Sequence, residues 1–187
     1  YCSSLMNNIA YVKAVESWLG IDITDRAKFM RVILSEFYRV QDHLVCIAAN
    51  LVDMGGLTNY WYLYNEKEAS YDFISRLTGA RLTSSFTRIG GMYRDFYDGW
   101  QDDMEDQLKK IEKGVSDSLK LVLQNRIVHD RTQGTCIMSA EKALSYGYTG
   151  PNLRASGVPF DLRKDNPYYH YETFEYSIPV GSTGDIY

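Results

Sequence analysis

Apolar residues recur every three or four positions along much of the first 124 residues, which is the period of helices with one buried face. A first stripe covers residues 3–19 and ends at Gly20. A longer one runs from Thr24, a favourable N-cap, to about Met54, where two glycines follow. The two stripes consist of Leu5, Ile9, Val12, Val15 and Leu19, and of Phe29, Ile33, Phe37, Val40, Leu44, Ala48 and Leu51.

Three more helices are predicted further along the chain. The segment from Thr58 to Thr78 has aromatic residues on nearly all sides, so we expect other elements to enclose it, and Gly79 is a natural C-cap. Residues 98–124 carry acids early and lysines late, an order that complements the helix dipole. A short helix is predicted from Ser139 to about Tyr146.

The helical pattern ends at Gly147. Residues 148–187 hold all four prolines, and residues 173–178 are the one plausible strand there. We therefore predict a mainly α fold in a single domain: a helical bundle at 1–147, with an irregular segment at 148–187 that packs on it and carries minor β structure.

Composition narrows the partners and ligands. The 187 residues are 45% hydrophobic and 24% charged, as expected of one globular domain. The net charge is -4 and no Lys/Arg cluster stands out, so no nucleic acid is expected as a partner. The three cysteines are widely separated and form no C-x-x-C pair, which predicts neither a metal site nor a disulfide framework.

The longest apolar run is interrupted by Asn50 and Asp53, short of the roughly 18 to 20 residues that a membrane span needs. The sequence also begins at Tyr1 without Met and stops in mid-pattern, which we expect of a piece of a longer chain.

Few residues indicate chemistry by their pattern alone. Glu36, Arg39 and His43 share a helix face and are interpreted as a structural ion-pair stripe. The "RIGG" at 88–91 is too short for a phosphate loop and no strand is predicted before it. Asp53 ends a long apolar helix, where burial and the helix dipole would both favour its protonated form, a proton donor; the alternative is an exposed C-terminal Asp.

Several segments, taken in order, resemble one family. They are "YCSS", "LVDMGGLT", "LTGARLTSSFTRIGG", "AEKALSYGYTG" and the long "LRASGVPFDLRKDNPYYHYETFEYSIPVGSTGD". Together they resemble the hydrogenase-like large subunit (D subunit, 49-kDa type) of respiratory complex I, NADH:quinone oxidoreductase. The resemblance implies a helical bundle of the nickel–iron hydrogenase large-subunit type, with the family's N- and C-terminal regions missing. It also implies that most tyrosines of the last motif are structural.

The resemblance implies a quinone pocket. Tyr1 matches a tyrosine whose phenol hydrogen-bonds the quinone headgroup, and Asp53 matches an aspartate that pairs with a histidine of the family's N-terminal domain; these two are the catalytic candidates. Tyr60 and Trp61 fall at the lip of that pocket, where many members have "PFF" after the threonine. The isolated fragment is expected to be inactive.

The same resemblance places two residues near an iron–sulfur cluster that a neighbouring subunit holds. Thr83 stands where many members have His, and Arg88 matches a family arginine close to the terminal cluster. The loss of that histidine makes a lower-potential quinone such as menaquinone plausible. Arg154 and Arg163 match family arginines with structural roles.

Cofactors and partners follow from the resemblance too. Quinone is the implied substrate, while NADH and the iron–sulfur clusters belong to partner subunits and none is bound by this chain. The implied partners are the other peripheral-arm and membrane-arm subunits, especially the one that holds the terminal cluster. The location would be peripheral, on the cytoplasmic side of the bacterial inner membrane or the matrix side of a mitochondrial one.

Two alternatives stay open. The large subunit of a membrane-bound nickel–iron hydrogenase or of an F420-type dehydrogenase has the same fold, and its C-x-x-C nickel ligands would lie outside this sequence. A purely scaffolding subunit is the other alternative.

Overall fold

The computed structural model describes residues 2–187. The chain is mainly helical, as predicted, and forms two compact units, of which the first ends at Gln124 and the second is Asn125–Tyr187. The sequence pattern predicts the end of the helical bundle at residue 147 instead. The boundary precedes a short helix that has too few turns to show a periodic pattern.

Four long helices build the first unit, and all four were predicted. They are α1 (Ser4–Leu19), α2 (Asp25–Asp53), α3 (Leu57–Thr78) and α4 (Trp100–Val122). Gly20 and Gly79 end α1 and α3 in the left-handed conformation, and Thr24 Oγ1 accepts a hydrogen bond from the Ala27 amide at 3.3 Å. Local capping chemistry therefore sets these boundaries.

The core of this unit lies where α2 packs on α1 and α3, and where α3 packs on α4. Asn59 of α3 donates to the Ser118 carbonyl at 3.0 Å and joins α3 to α4. The expectation that α3 is enclosed on all sides is wrong, because Trp61 and Tyr62 are exposed. One apolar cluster in this core consists of Leu44, Ala48, Leu51, Leu63 and Ile111, with Met54, Tyr60, Tyr64, Val40, Val115 and Val122 against it.

A small antiparallel hairpin follows α3 and was not predicted. Its strands are β1 (Thr87–Arg88) and β2 (Gly91–Met92), with Thr87 opposite Met92 and Arg88 opposite Gly91. "RIGG" is thus the turn of a hairpin, and Gly90 adopts φ +87° within it. Strands of two residues cannot show the alternation by which a sequence predicts a strand.

The second unit contains short helices and a 3-10 turn. The helices are α5 (Arg126–Thr132), α6 (Ala140–Ser145), α7 (Gly150–Ala155) and α8 (Leu162–Asp165), and the 3-10 turn is Tyr171–Thr173. Only α6 was predicted, with Ser139 as its N-cap. The strand predicted at 173–178 is wrong: this unit, described throughout, contains no strand, and the chain's minor β structure is the hairpin at 87–92.

The tail of the second unit is held by backbone hydrogen bonds outside any sheet. Gly181 N donates to Arg154 O and Gly184 N to Ala155 O, both at 2.9 Å. A Cβ on Gly181 would lie 2.9 Å from Ala155 O, and one on Gly184 would collide with Met138 O. These two glycines therefore permit a close approach that no other residue would allow.

Asp161 is the buried charge at the centre of the second unit. It accepts hydrogen bonds from Arg163 Nε at 2.9 Å and Nη2 at 2.7 Å, and Arg154 Nη1 lies 3.5 Å away. The hydrogen bonds from Arg163 lower the pKa of Asp161 to about 2, against the effect of burial. Both arginines thus lie against one buried carboxylate within this unit.

Candidate functional site

The turn between α2 and α3 places the first group of predicted site residues. Gly55 N donates to Val52 O at 2.8 Å and Gly56 N to Leu51 O at 2.6 Å. A Cβ on Gly56 would lie only 3.0 Å from Leu51 O, so glycine lets α3 begin directly after α2. We call this turn, with the first residues of α3, the α2–α3 corner.

Asp53 is the last residue of α2, and its side chain is exposed. Of the two alternatives drawn from the sequence pattern, the structure therefore shows the exposed C-terminal aspartate and not the buried one. Its apolar sequence neighbours Leu51 and Met54 pack into the cluster below, whereas Asp53 points away from them. The carboxylate stands at the negative end of the helix dipole and in contact with solvent.

Aromatic rings cover the α3 side of the corner. Tyr60 is partly buried and stacks on Tyr64, with ring centroids 4.3 Å apart and an interplanar angle of 20°. Trp61 is 59% exposed and meets the Tyr60 ring edge-on at 5.3 Å. The side-chain hydrogen bond with Tyr64, and secondly burial, raise the pKa of Tyr60, so this phenol is a neutral hydrogen-bond donor at neutral pH.

A buried cation lies one turn further along α3. Lys67 is 6% exposed, and its Nζ is 4.3 Å from the Tyr64 ring centroid and 4.9 Å from that of Tyr71. Burial alone would lower the pKa of Lys67, but the hydroxyls of Tyr71 and Tyr64 outweigh it and the pKa is raised. This group was not predicted, although a lysine three residues after one tyrosine and four before another indicates it.

The loop and hairpin after α3 carry the second group of predicted site residues, Thr83 and Arg88. Thr83 is exposed, and its neighbour Ser84 is buried. Asn8 Nδ2 donates to Ser84 O at 2.7 Å, and the Tyr38 hydroxyl is 2.7 Å from Ser84 Oγ. The backbone beside Thr83 is therefore pinned to α1 and α2, while the Thr83 side chain faces outward.

Arg88 lies on β1 and is exposed. Its Nη1 donates to Ser85 O at 2.8 Å and Thr87 O at 2.9 Å, and its guanidinium carbon is 5.0 Å from the Tyr93 ring centroid. These partners all belong to the hairpin and its flanks, so the guanidinium moves with the hairpin backbone.

The structure thus separates the predicted site residues into two groups. Asp53, Tyr60 and Trp61 lie at the α2–α3 corner, whereas Thr83 and Arg88 follow the other end of α3, whose 22 residues span about 33 Å. Tyr1 lies outside the described residues. A groove between α3 and α4 contains none of these residues; it is lined by Asp72, Phe73, Arg76, Asp103, Asp106, Gln107 and Lys110.

The described part of the chain has neither a metal-binding group nor a helix that could span a membrane. No three His, Cys, Asp or Glu side chains among residues 2–187 are arranged to hold a metal ion. No helix within those residues combines the length and the apolar character that crossing a membrane requires.

Comparison with known proteins identifies the family. The family model for the 49 kDa subunit of respiratory-chain NADH dehydrogenase matches residues 53–187. The C/D subunit of the NADH-quinone oxidoreductase of Bdellovibrio bacteriovorus is 47% identical over this whole chain, which covers 33% of that protein. The D subunits of the same enzyme from Pelobacter propionicus and Myxococcus xanthus are 46% and 45% identical, again over the whole chain, and 46% and 45% of their lengths are covered.

The chain therefore spans less than half the length of these relatives. Its four long helices, its hairpin and its glycine-dependent tail all lie within the compared region. The chain belongs to the family of the 49 kDa subunit of respiratory-chain NADH dehydrogenase.

Proposed function

We propose that this chain is the central part of the quinone-site subunit of an NADH:quinone oxidoreductase. The observation that carries the proposal is the end-to-end similarity, at 45 to 47% identity, to proteins named as subunits of that enzyme. In this proposal a neighbouring subunit holds the terminal iron–sulfur cluster, and electrons from it reduce quinone in a pocket to which the chain contributes. The subunit is peripheral, on the cytoplasmic side of a bacterial inner membrane.

The chemistry of the α2–α3 corner supports a quinone pocket there. A quinone headgroup is a flat ring with two carbonyl acceptors, so its site needs a stacking surface and hydrogen-bond donors. Trp61 offers an exposed ring beside the phenol of Tyr60, and Asp53 offers a carboxylate at the same corner. Tyr60 and Trp61 accordingly form the lip of the proposed pocket.

Reduction of a quinone by two electrons also takes up two protons. We assign proton donation to the phenol of Tyr1 and to a histidine that Asp53 orients from the family's N-terminal region, because both groups transfer protons readily when they are positioned. Loss of these protons would change the net charge near Asp53, and this change would act on the charged groups around it. Two unit charges about 4 Å apart interact by roughly 4 kcal/mol at an effective dielectric near 20, enough to favour a rearrangement toward the membrane arm.

The test uses Asp53→Asn in the whole complex. We expect NADH:quinone reduction to fall by at least about tenfold, since a positioned proton-transfer group contributes 100-fold or more. NADH oxidation by ferricyanide, which does not need the quinone site, should be unchanged. Asp98→Asn, at another exposed aspartate of the first unit, is the matched control and should leave both rates unchanged.

Three outcomes would contradict the proposal. Unchanged quinone reduction and proton pumping in Asp53→Asn would remove Asp53 from the mechanism. A scaffolding role predicts that both rates fall together as the complex is lost, and that quinone does not protect Tyr1 from chemical labelling. Nickel alongside iron in the purified complex would indicate a hydrogenase.

A further inference from the structure

The least exposed charges of the first unit lie beneath the hairpin. Arg31 of α2 is 0% exposed and Glu16 of α1 is 4% exposed. Arg31 Nη1 donates to Glu16 Oε2 at 2.7 Å and Nη2 to Glu16 Oε1 at 2.8 Å, a two-pronged pair. We call these two residues the buried pair.

Both members of the buried pair also hold the hairpin backbone. Arg31 Nη2 donates to the carbonyl oxygens of Arg88 and Gly91, each at 3.0 Å. Glu16 Oε1 accepts from the Gly90 amide at 2.8 Å. The pair therefore contacts β1, the turn and β2 at once, and three of the four residues of the turn donate to it or accept from it.

The base of the hairpin is anchored by Phe86 and Thr87, which are 1% and 5% exposed, but its turn end has few contacts other than those with the buried pair. Its strands are two residues long, and a two-stranded hairpin is at best marginally stable by itself. Ile89 and Tyr93 are 49% and 64% exposed, so they add little packing. The buried pair supplies directional contacts instead of apolar area.

A buried ion pair is a poor choice if stability alone is needed, because desolvation cancels much of its attraction and an apolar replacement is often neutral or better. Here the two charges also satisfy two carbonyls and an amide whose directions are fixed. The hydrogen bond from Arg31 lowers the pKa of Glu16 even though burial opposes this, so Glu16 is charged at neutral pH. The geometry thus suits positioning more than stabilisation.

We propose that Glu16 and Arg31 are positioning residues for Arg88, holding the hairpin so that the Arg88 guanidinium faces the electron-donating partner in one fixed place. The inference rests on the proposed function and on the family resemblance, which implies that Arg88 lies near the partner's terminal iron–sulfur cluster. A cation held near a cluster favours its reduced, more negative form and raises its midpoint potential. Movement of the hairpin would weaken that effect without changing Arg88 itself.

The test measures the midpoint potential of the terminal cluster by redox titration of the intact complex. Arg88→Met is expected to lower the potential. Glu16→Gln keeps the shape of the side chain but removes its charge, and it should lower the potential in the same direction by a smaller amount. In the Arg88→Met background, Glu16→Gln should add no further change, because the pair acts through Arg88.

A second variant and a matched control keep the result interpretable. Arg31→Lys retains the buried positive charge but cannot reach Glu16 and both carbonyls together, so it should behave like Glu16→Gln. Asp95→Asn breaks another two-pronged arginine pair, that with Arg26 at 2.6 and 2.8 Å, which is 67% and 52% exposed and does not touch the hairpin turn. It should leave the potential unchanged.

Hydrogen exchange supplies a readout that is independent of the cluster. In the intact complex, Glu16→Gln should speed exchange of the Gly90 amide about tenfold, because the acceptor of its hydrogen bond loses its charge, whereas Arg88→Met should not.

Each outcome decides between the two proposals. An unchanged potential in Arg88→Met would overturn the placement of Arg88 near the partner's terminal cluster. A shift in Arg88→Met with none in Glu16→Gln and Arg31→Lys would overturn the positioning inference alone. Additive shifts in the double variant would overturn it too, since the pair would then act independently of Arg88.

Discussion

Removal of the charge at Asp161 offers a quantitative test of what stabilises the second unit. In Asp161→Asn the amide oxygen can still accept a hydrogen bond, but the carboxylate that two arginines share is lost. The side chains of Arg154 and Arg163 are 13% and 17% exposed, so neither cation would have full access to water. We therefore expect a large loss of stability from a change of one functional group.

The magnitude follows from the pKa. Lowering the pKa of Asp161 from an ordinary value of about 3.9 to about 2 stabilises the folded unit by about 2.5 kcal/mol at neutral pH. Because the folded-state pKa is the lower one, this contribution is complete above about pH 5 and disappears as the pH falls from about 4 through about 2. Wild type and Asp161→Asn should therefore differ at pH 7 and converge near pH 2.

The assay must report on the second unit alone. Trp18, Trp61 and Trp100 all precede residue 124, so tryptophan fluorescence follows the first unit. The stability of the second unit is reported by hydrogen-exchange protection of the Gly181 and Gly184 amides, which donate to carbonyls of α7. At pH 7 the substitution should reduce protection about 70-fold.

A matched variant and a clear opposite result complete this test. Glu175→Gln removes one exposed negative charge from the same unit and should change protection little. Equal protection of wild type and Asp161→Asn at pH 7, or an equal loss at pH 7 and pH 2, would refute the linkage argument.

Three further changes test the first unit by urea denaturation followed by tryptophan fluorescence. Gly114→Ala should destabilise the first unit by about 1 to 3 kcal/mol, because the added Cβ collides with Glu66 at the α3–α4 contact. The cost of this collision exceeds the gain from the higher helix propensity of alanine. A more stable variant would show that the Glu66 side chain swings aside. Lys67→Met should cost about 1 to 2 kcal/mol through the lost contact with the Tyr64 ring, and an unchanged midpoint would contradict that value. Thr24→Ala should cost about 1 kcal/mol and Thr24→Ser much less, and equal losses would argue against side-chain capping.

The helices of the first unit could be predicted because their signals are local. A stripe such as that of α2 repeats over many turns, and caps such as Thr24 and Gly79 act within a few residues of themselves. The hairpin could not be predicted for the opposite reason. Its turn is hydrogen-bonded to Glu16 and Arg31, which are far from it in sequence, and its strands are too short to show a pattern.

The candidate site likewise has features that the sequence predicts and features that it does not. That Tyr60 and Trp61 share a corner with Asp53 follows from the short turn between two helices, which the glycines indicate. The exposure of Asp53 could not be read from its apolar neighbours, because residues next to each other in a helix face different directions. The burial of Lys67 depends on two tyrosine rings one turn away on either side, a packing arrangement that composition does not reveal.

The crowded aromatics at 168–176 show how the second unit packs without a strand or a long helix. Tyr171 is 3% exposed and contacts the Tyr168 ring edge-on at 4.9 Å, while the Tyr176 ring lies 4.9 Å from the Arg163 guanidinium carbon and 4.8 Å from Lys164 Nζ. An irregular backbone cannot align small apolar side chains on one face, so each buried position must cover more area, and large rings do this while their edges and faces also bind cations. Packing therefore explains the phenol of Tyr171, and contact with Arg163 and Lys164 explains the ring of Tyr176.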